Sequence, residues 1–391
     1  MCSWRAVSRR AASSLAHDPP PPARAQKVFN QAEPMVNYNA WLGDAALVST
    51  VQRAQPSAAL CVLGRAVGSA AWQRAATDAN AHPPRLVTHD RFGNRVDKVD
   101  FHPAYHELMA NQIAAGAAGF CSASEPRGRE RHVERAASMY LAYQLEPGTC
   151  CPMTMSFAGT AALSMQSSEA EERSDGYAAA LARALRTQQY DGRNAPWDSK
   201  AGATVGMSMT EKQGGSDVRS NTTRATPLRE DGAHHAGDPF CLNGAKWFTS
   251  APMSDAFLTL AQTSLPTSNG SSAEALSCFI VPRWLPSGAR NAGFTLQRLK
   301  DKLGDRANAS AEVECVTPRP AAPAHAAVPC SLRCLLLLLR PHRARPARTH
   351  THTAGTTTRG GSCSASRGAV CRRFSRWSCE RASTAPSEAR R

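Results

Sequence analysis

An α+β fold is predicted, with a helical N-terminal domain followed by a small antiparallel β-barrel, and three observations carry the prediction. Apolar residues recur at helical spacing before residue 195, as Val133, Ala136, Ala137, Tyr140, Leu141 and Leu145 do. Pro196 then marks a change to short β-prone runs separated by turns. After Glu314 neither period is sustained. The predicted domains are therefore a basic extension over 1–27, a helical domain over 28–195, a β-barrel over 196–315 and a disordered Arg/Pro-rich tail over 316–391.

Charge divides the chain in the same way. Its formal net charge is +15 over 391 residues, and 42% of those residues are hydrophobic, enough for domains with real cores. Residues 316–391 hold 14 arginines and no lysine against Glu380 and Glu388, whereas residues 28–315 sum to about −1. The basic character belongs to the ends, so it is no argument that the folded part binds nucleic acid. The tail's five leucines, Leu335 to Leu339, are too few to span a bilayer. An Arg-rich tail can associate weakly with nucleic acid, but only Phe374 and Trp377 interleave its arginines. Its composition resembles GC-rich non-coding sequence read through in translation.

The extension over 1–27 is rich in Arg, Ser and Ala and ends in Pro19 to Pro22, which suits either a mitochondrial or plastid transit peptide or a disordered lead-in to a cytoplasmic protein. Helices are expected from Asp44 to about Ala54, from Pro103 to about Ala118, and from Arg129 to Glu146, where Pro147-Gly148 stops the last. Cys150 to Leu163 is a nearly uncharged stretch, Ser167 to Ser174 reads as a loop and Gly176 to Arg186 as a short helix. His102 and His106 lack a third metal ligand, so capping or packing is their expected role and no metal site is assigned. Thirteen cysteines without zinc-ribbon spacing read as reduced thiols.

In the β-region, Ala256 to Ala261 and Ser277 to Pro282 read as strands, and Phe279-Ile-Val281 suits a strand covered on both faces. The chemistry concentrates in two segments. Gly206-Met-Ser-Met-Thr210 alternates as a strand and runs into Gly214-Gly-Ser-Asp217, where glycines let backbone N–H groups approach an anion. Gly244-Ala-Lys-Trp-Phe-Thr-Ser250 offers two aromatic faces and two hydroxyls. On general grounds such segments are as readily a turn and a core strand.

Met209-Thr-Glu-Lys-Gln-Gly-Gly-Ser-Asp217 followed by Lys246-Trp-Phe-Thr-Ser250 resembles the flavin-binding middle domain of the acyl-CoA dehydrogenase superfamily. Val28-Phe-Asn-Gln31, Phe101 to Met109, Cys151 to Ala158, and Arg298 to Gly304 with Asn308-Ala-Ser310 narrow the resemblance to its AidB-like branch, over about residues 28–315. The resemblance implies FAD, an acyl-CoA-like substrate, a homo-oligomer and α,β-dehydrogenation with hydride passing to flavin N5, or the alkylation-response role of AidB relatives. Carried over by motif position, the cofactor-binding residues are Met207, Met209, Thr210, Ser216, Trp247, Phe248, Thr249 and Ser250. The family's C-terminal four-helix domain, which bears the catalytic base, has no counterpart in this sequence. No catalytic residue is therefore assigned, Glu211 is expected to be structural, and a catalytically incomplete flavin-binding fragment is the competing reading.

Overall fold

The computed structural model describes residues 30–52, 58–119, 130–166, 168–228, 235–266, 272–316 and the backbone of 334–337. The basic extension over 1–27 and the rest of the Arg/Pro-rich segment lie outside the described residues. In chain order the helices are α1 (Ala45–Val51), α2 (Ala59–Val67), α3 (Ala70–Ala81), α4 (Pro103–Ala114), α5 (Glu130–Leu145), α6 (Pro147–Leu163), α7 (Ser168–Arg173) and α8 (Tyr177–Leu185). A hairpin, β1 (Arg85–His89) and β2 (Arg95–Asp100), interrupts them. The strands of the second region are β3 (Val205–Thr210), β4 (Arg224–Pro227), β5 (Pro239–Ser250), β6 (Ala256–Pro266), β7 (Ser272–Pro282), β8 (Phe294–Leu299), β9 (Ser310–Cys315) and β10 (Cys334–Leu337).

Local chemistry explains the helix starts. Asp44 caps α1 by accepting from Leu47 N at 2.8 Å, and Ser69 caps α3 by accepting from Trp72 N at 3.3 Å. His102 caps α4 through Ala104 N, with Pro103 at the first position, where its missing N–H costs nothing. Glu146 caps α6 with both oxygens, accepting from Gly148 N at 3.0 Å and Thr149 N at 2.6 Å. The anticipated helices over Pro103, Arg129 and Gly176 are present. Ser168–Arg173, read from sequence as a loop, is a short helix. Its run Glu169, Glu171 and Glu172 looked like solvated loop, yet acidic residues near a helix N-terminus favour the first turn.

The hairpin is the larger departure from an all-helical first region. Asp90 folds its turn by accepting from Phe92 N and Asn94 N, and Gly93 takes the left-handed backbone that the turn needs, at φ +86°. The hairpin is held against the barrel by Asp97, which is buried and has φ +42°. Asp97 accepts from Arg95, from Arg290 at 3.0 Å and from Leu296 N at 3.2 Å. Val99 beside it enters the barrel core.

The sheet has the order β10-β7-β6-β3-β5-β9-β8, and β10 pairs β5 as well as β7, which closes the strands on themselves. Most pairings are antiparallel, but β3 runs parallel to β6 from Val205↔Ala256 to Ser208↔Thr259. The parallel pair follows from connectivity: β6 reverses β5 through the turn at 251–255, and β3 is antiparallel to β5. The β10 strand, in the segment where no period is legible, pairs its Leu335 and Leu336 with Ile280 and Phe279 at the edge of β7. Phe279 and Val281 enter the barrel core while Ile280 faces the helices, as an apolar run without alternation requires.

Four apolar clusters result among the described residues. One fills the barrel around Phe240, Phe257 and Phe294. Two lie within the helices, around Leu108 and Met153 and around Leu60 and Leu141. The fourth joins α6 and α8 to β3, β6 and β7 through Leu163, Leu181, Val205 and Ile280. At that seam Val205 N donates to Ser156 Oγ at 3.0 Å, and Gly159 leaves the room Val205 fills. Helix α6 is thereby fixed on β3. Cys61, Cys150, Cys151, Cys278 and Cys315 are free thiols. Cys241 is disulfide-bonded, a correction to the all-thiol reading.

Candidate functional site

The two motif segments become neighbouring strands. Met207 pairs with Ser250 and Thr210 with Phe248, with a bulge in β3 between Ser208 and Thr210 and one in β5 between Lys246 and Thr249. A bulge lets two successive side chains leave the same side of a strand. Lys246 and Thr249 accordingly point into the barrel and are buried, while Trp247 is half-buried and Phe248 is 37% exposed. Met207 and Met209 pack towards the α6–α8 cluster.

Below the glycine loop lies a buried ion pair. Glu211 Oε1 accepts from Lys246 Nζ at 2.8 Å and from the Thr223 N–H at 3.0 Å. Its Oε2 accepts from the Thr222 N–H at 2.7 Å and the Thr222 hydroxyl at 2.9 Å. Lys246 also donates to the Leu260 carbonyl at 2.7 Å. Both side chains are almost wholly buried. Burial works against the Glu211 carboxylate, but Lys246, Thr222 and Thr223 together hold its pKa down to about 2. Such a group stays ionised and is spoken for on every side. Glu211 is structural, the anchor that closes residues 211–223 into a loop, helped by Asn221 Nδ2 donating to the Met209 carbonyl at 2.9 Å.

The sign of the pH dependence follows. Because Glu211 is depressed from an ordinary 4.5 to about 2 on folding, its contribution is complete above about 4.5 and is lost as pH falls through the folded value. We expect the stability difference between the native chain and Glu211→Gln to be constant at pH 6–7 and to shrink between pH 4.5 and 2.5, measured by urea denaturation. A difference unchanged down to pH 2.5 would reject the ionised pair.

Above this anchor the loop doubles back over β3. Gly214 has φ +118°, and a Cβ on Gly215 would come within 2.8 Å of Thr210 Oγ1, so glycine is what lets the loop backbone lie against the threonine. Ser216 is exposed on this loop and Thr210 half-buried beneath it. Thr249 is fully buried, and its hydroxyl is taken up by Ser208 Oγ at 2.5 Å, so it joins β3 to β5.

Around the aromatic pair the surroundings are basic. Lys300 Nζ stands 3.1 Å over the Trp247 ring centroid, with Arg298 at 5.7 Å and Lys212 at 5.8 Å. Lys300 is held there by Glu312 Oε1 at 2.6 Å. Next to it, a cavity of about 230 Å³ is lined by Lys300, Lys302, Arg306, Asn308 and Ser310, and Ser310 is the register partner of Ser250. Asn308 is 3% exposed, and among the described residues its Oδ1 has no hydrogen-bond partner, an acceptor left open beside the site. From α6, Cys151 reaches the same place: burial pushes its thiol up, opposed by hydrogen bonds with Ser250 and Asn308 and by the Lys302 charge. Cys151, Lys300 and Asn308 join the site only in three dimensions, although their segments carry family motifs. Of the eight residues chosen from sequence, Met207, Thr210, Phe248 and Ser250 meet across one strand pair, Trp247 adjoins them, and Ser216 stands apart on the loop.

His102 is a helix cap and stacks on His82 at 4.8 Å, and His106 Nδ1 lies 2.9 Å from the Tyr190 hydroxyl. Among the described residues no group of three or more His, Cys, Asp or Glu is placed to hold a metal ion, and no helix is long and apolar enough to cross a membrane.

Comparison with known proteins bears on these same residues. Residues 30–192 match the family described as the adaptive response protein AidB N-terminal domain, and residues 206–316 match the acyl-CoA dehydrogenase middle domain. Over those residues the chain belongs to the AidB-like branch of the acyl-CoA dehydrogenase superfamily. It is 43% identical over 290 residues to the putative acyl-CoA dehydrogenase AidB of Escherichia coli K12, covering 73% of this chain and 49% of that protein. It is 30% identical over 298 residues to acyl-CoA dehydrogenase family member 11 of Caenorhabditis elegans, covering 73% and 44%. The chain thus spans about half the length of the curated relatives it matches. The crystal structure of C. elegans ACDH-11 in complex with C11-CoA superposes with a TM-score of 0.61 at 24% identity, over 81% of this chain and 49% of that one. The Bd2924 apo-form superposes at 0.56 and 25% identity, over 79% and 56%. The α+β arrangement of the AidB-like chain is therefore that of its superfamily.

Proposed function

We propose that residues 30–316 form the flavin-binding part of an FAD-dependent oxidoreductase of the acyl-CoA dehydrogenase type. The observation that carries the reading is the bulged β3–β5 pair, which sets Trp247 and Phe248 outside the barrel beside Thr210 and Ser250, under a loop whose glycines expose backbone. The residues fit a flavin in kind. Phe248 offers an aromatic face, Trp247 offers the face that Lys300 does not cover, and the hydroxyls of Thr210 and Ser250 meet a heterocycle's polar edge. The glycine loop with Ser216 suits a phosphate. The cations around Trp247 supply a positive field for an anionic cofactor.

Bound there, a flavin would supply the two-electron acceptor that takes hydride from the substrate β-carbon. The protein's own part is to hold the ring against β3 and β5, to exclude water from one side with α6, and to present the cavity of Lys300, Lys302 and Asn308 to a polar group. An acyl-CoA substrate is supported by the names of the curated relatives. Removal of the α-proton requires a carboxylate base, and Glu211 is not it: it is buried, saturated with donors and held ionised by Lys246. Catalytic incompleteness of these residues is part of the proposal.

The test is the full chain purified without added cofactor. A flavin spectrum, lost on Gly215→Val with the fold retained by circular dichroism, is the expected result. No bleaching of that spectrum by acyl-CoA thioesters under anaerobic conditions is expected as well. Failure to bind FAD at any concentration would sink the flavin reading, and rapid bleaching would sink the incompleteness.

A further inference from the structure

A second cavity, of about 170 Å³, lies between α4, α6, the β2 strand and the segment over 190–204, and its lining carries four cations against the carboxylates of Asp100 and Asp191. Lys98, Arg193, Lys200 and Arg283 face it, with His106 and Tyr190. Three of these four cations are matched: Lys98 by Asp100 at 2.6 Å, Arg193 by Asp191 at 2.7 Å and Lys200 by Asp255 at 2.7 Å. Arg283 is not. It is 7% exposed, and its guanidinium donates to two backbone carbonyls, those of Met253 at 2.7 Å and Asp97 at 3.1 Å.

The carboxylates whose fields reach Arg283 are Asp255 and Asp97, and each is already committed. Asp255 bonds Lys200, and Asp97 bonds Arg95 and Arg290. Two carboxylates thus serve four cations along a seam in which Arg283 and Lys200 are buried. A buried charge without a counter-charge is costly, and proteins pair it or bring in a mobile ion. Desolvation already depresses Arg283 to about 10, as a cation short of negative partners should be. Room for an ion adjoins it, since the cavity exceeds by far what one water needs.

We propose that this cavity binds a phosphate-class oxyanion, held by Arg283 and Lys200 from within and by Lys98 and Arg193 at its mouth. The mouth assignment rests on exposure: the Lys98 and Arg193 side chains are 50% and 62% exposed, whereas that of Lys200 is 5% exposed. His106 Nδ1 and the Tyr190 hydroxyl share one hydrogen bond at 2.9 Å, so the pair offers the anion one further donor: the His106 Nε2–H when the tyrosine donates to Nδ1, or the Tyr190 O–H when the ring donates to it. Ligand and seam together would lock α4 and the β1–β2 hairpin to the barrel, since Arg283 spans from Met253 to Asp97. The inference does not depend on flavin.

The test uses the full chain and inorganic phosphate against chloride at matched ionic strength. We expect phosphate to raise the Tm with a saturable concentration dependence and to move the ring resonances of His106. Lys98→Gln combined with Arg193→Gln should raise the apparent Kd by about tenfold or more, and Arg283→Met should abolish the response. If Arg283→Met does not fold, the double variant at the mouth decides. A phosphate shift no larger than that of chloride, one that never saturates, or one kept in full by the double variant would overturn the proposal. Equal saturable stabilisation by sulfate supports an oxyanion site of this class.

Discussion

Lys246→Met is expected to destabilise the protein by about 3–5 kcal/mol, because it removes the ammonium bonded to the Glu211 carboxylate, which stays buried. Glu211 would keep its bonds to the Thr222 and Thr223 backbone and hydroxyls but lose the 2.8 Å ion pair. Its remaining route is to take up a proton, so the variant should be least destabilised at low pH. Replacing both partners, as Glu211→Met with Lys246→Met, should recover part of the loss, since apolar pairs of similar volume often substitute for buried ion pairs without penalty. Urea denaturation of the four chains supplies the double-mutant cycle. A single Lys246→Met loss below about 1 kcal/mol would mean that the pair does not anchor the loop. The same variant should weaken any flavin binding, because Glu211 organises residues 211–223 from beneath.

The second large effect is expected at Asp97. Asp97→Ala removes the acceptor for Arg95, Arg290 and the Leu296 N–H in one step, and it leaves cations in a seam already short of negative charge. We expect a loss of about 3–5 kcal/mol. Its φ of +42° adds a second reason, since alanine adopts left-handed backbone less readily than aspartate. Hydrogen exchange locates the damage. Protection should fall in Arg85–Asp100 and at Phe294–Leu299 first, while α8 is little affected. Uniform loss of protection across the helices would mean that the hairpin is not a separate docking unit.

Much of the architecture was legible because its signals are local. The helices beginning at Pro103, Glu130 and Tyr177 announce themselves through spacing, an N-terminal proline or a terminating Pro-Gly. The covered strand Phe279-Ile-Val281 is visible in its lack of alternation. The hairpin over Arg85–Asp100 was not read, although Asp90 to Asn94 is a turn sequence, because its strands carry Arg, Lys, Asp and Thr where an apolar face is expected. Their inward polar groups are satisfied by β8 and the seam, and no sequence pattern records a partner some 200 residues away.

For the candidate site, the sequence by itself determined the residue types and their order: a small-residue strand, a glycine loop, and an aromatic pair followed by hydroxyls. It also determined the family over residues 30–316, since motif order and spacing are properties of the chain alone. Tertiary structure decided which of those side chains face one another. Two bulges turn Trp247 and Phe248 outward together and send Thr249 inward to Ser208, and a bulge depends on the neighbouring strand's register. Only the fold makes Glu211 an anchor, because its role comes from burial against Lys246, 35 residues later in the chain. The same cause brings Cys151, Lys300 and Asn308 to the site and leaves Arg283 bonded to backbone carbonyls while Asp255 and Asp97 bond other cations: electrostatics is set by distance in space, and sequence does not carry that distance.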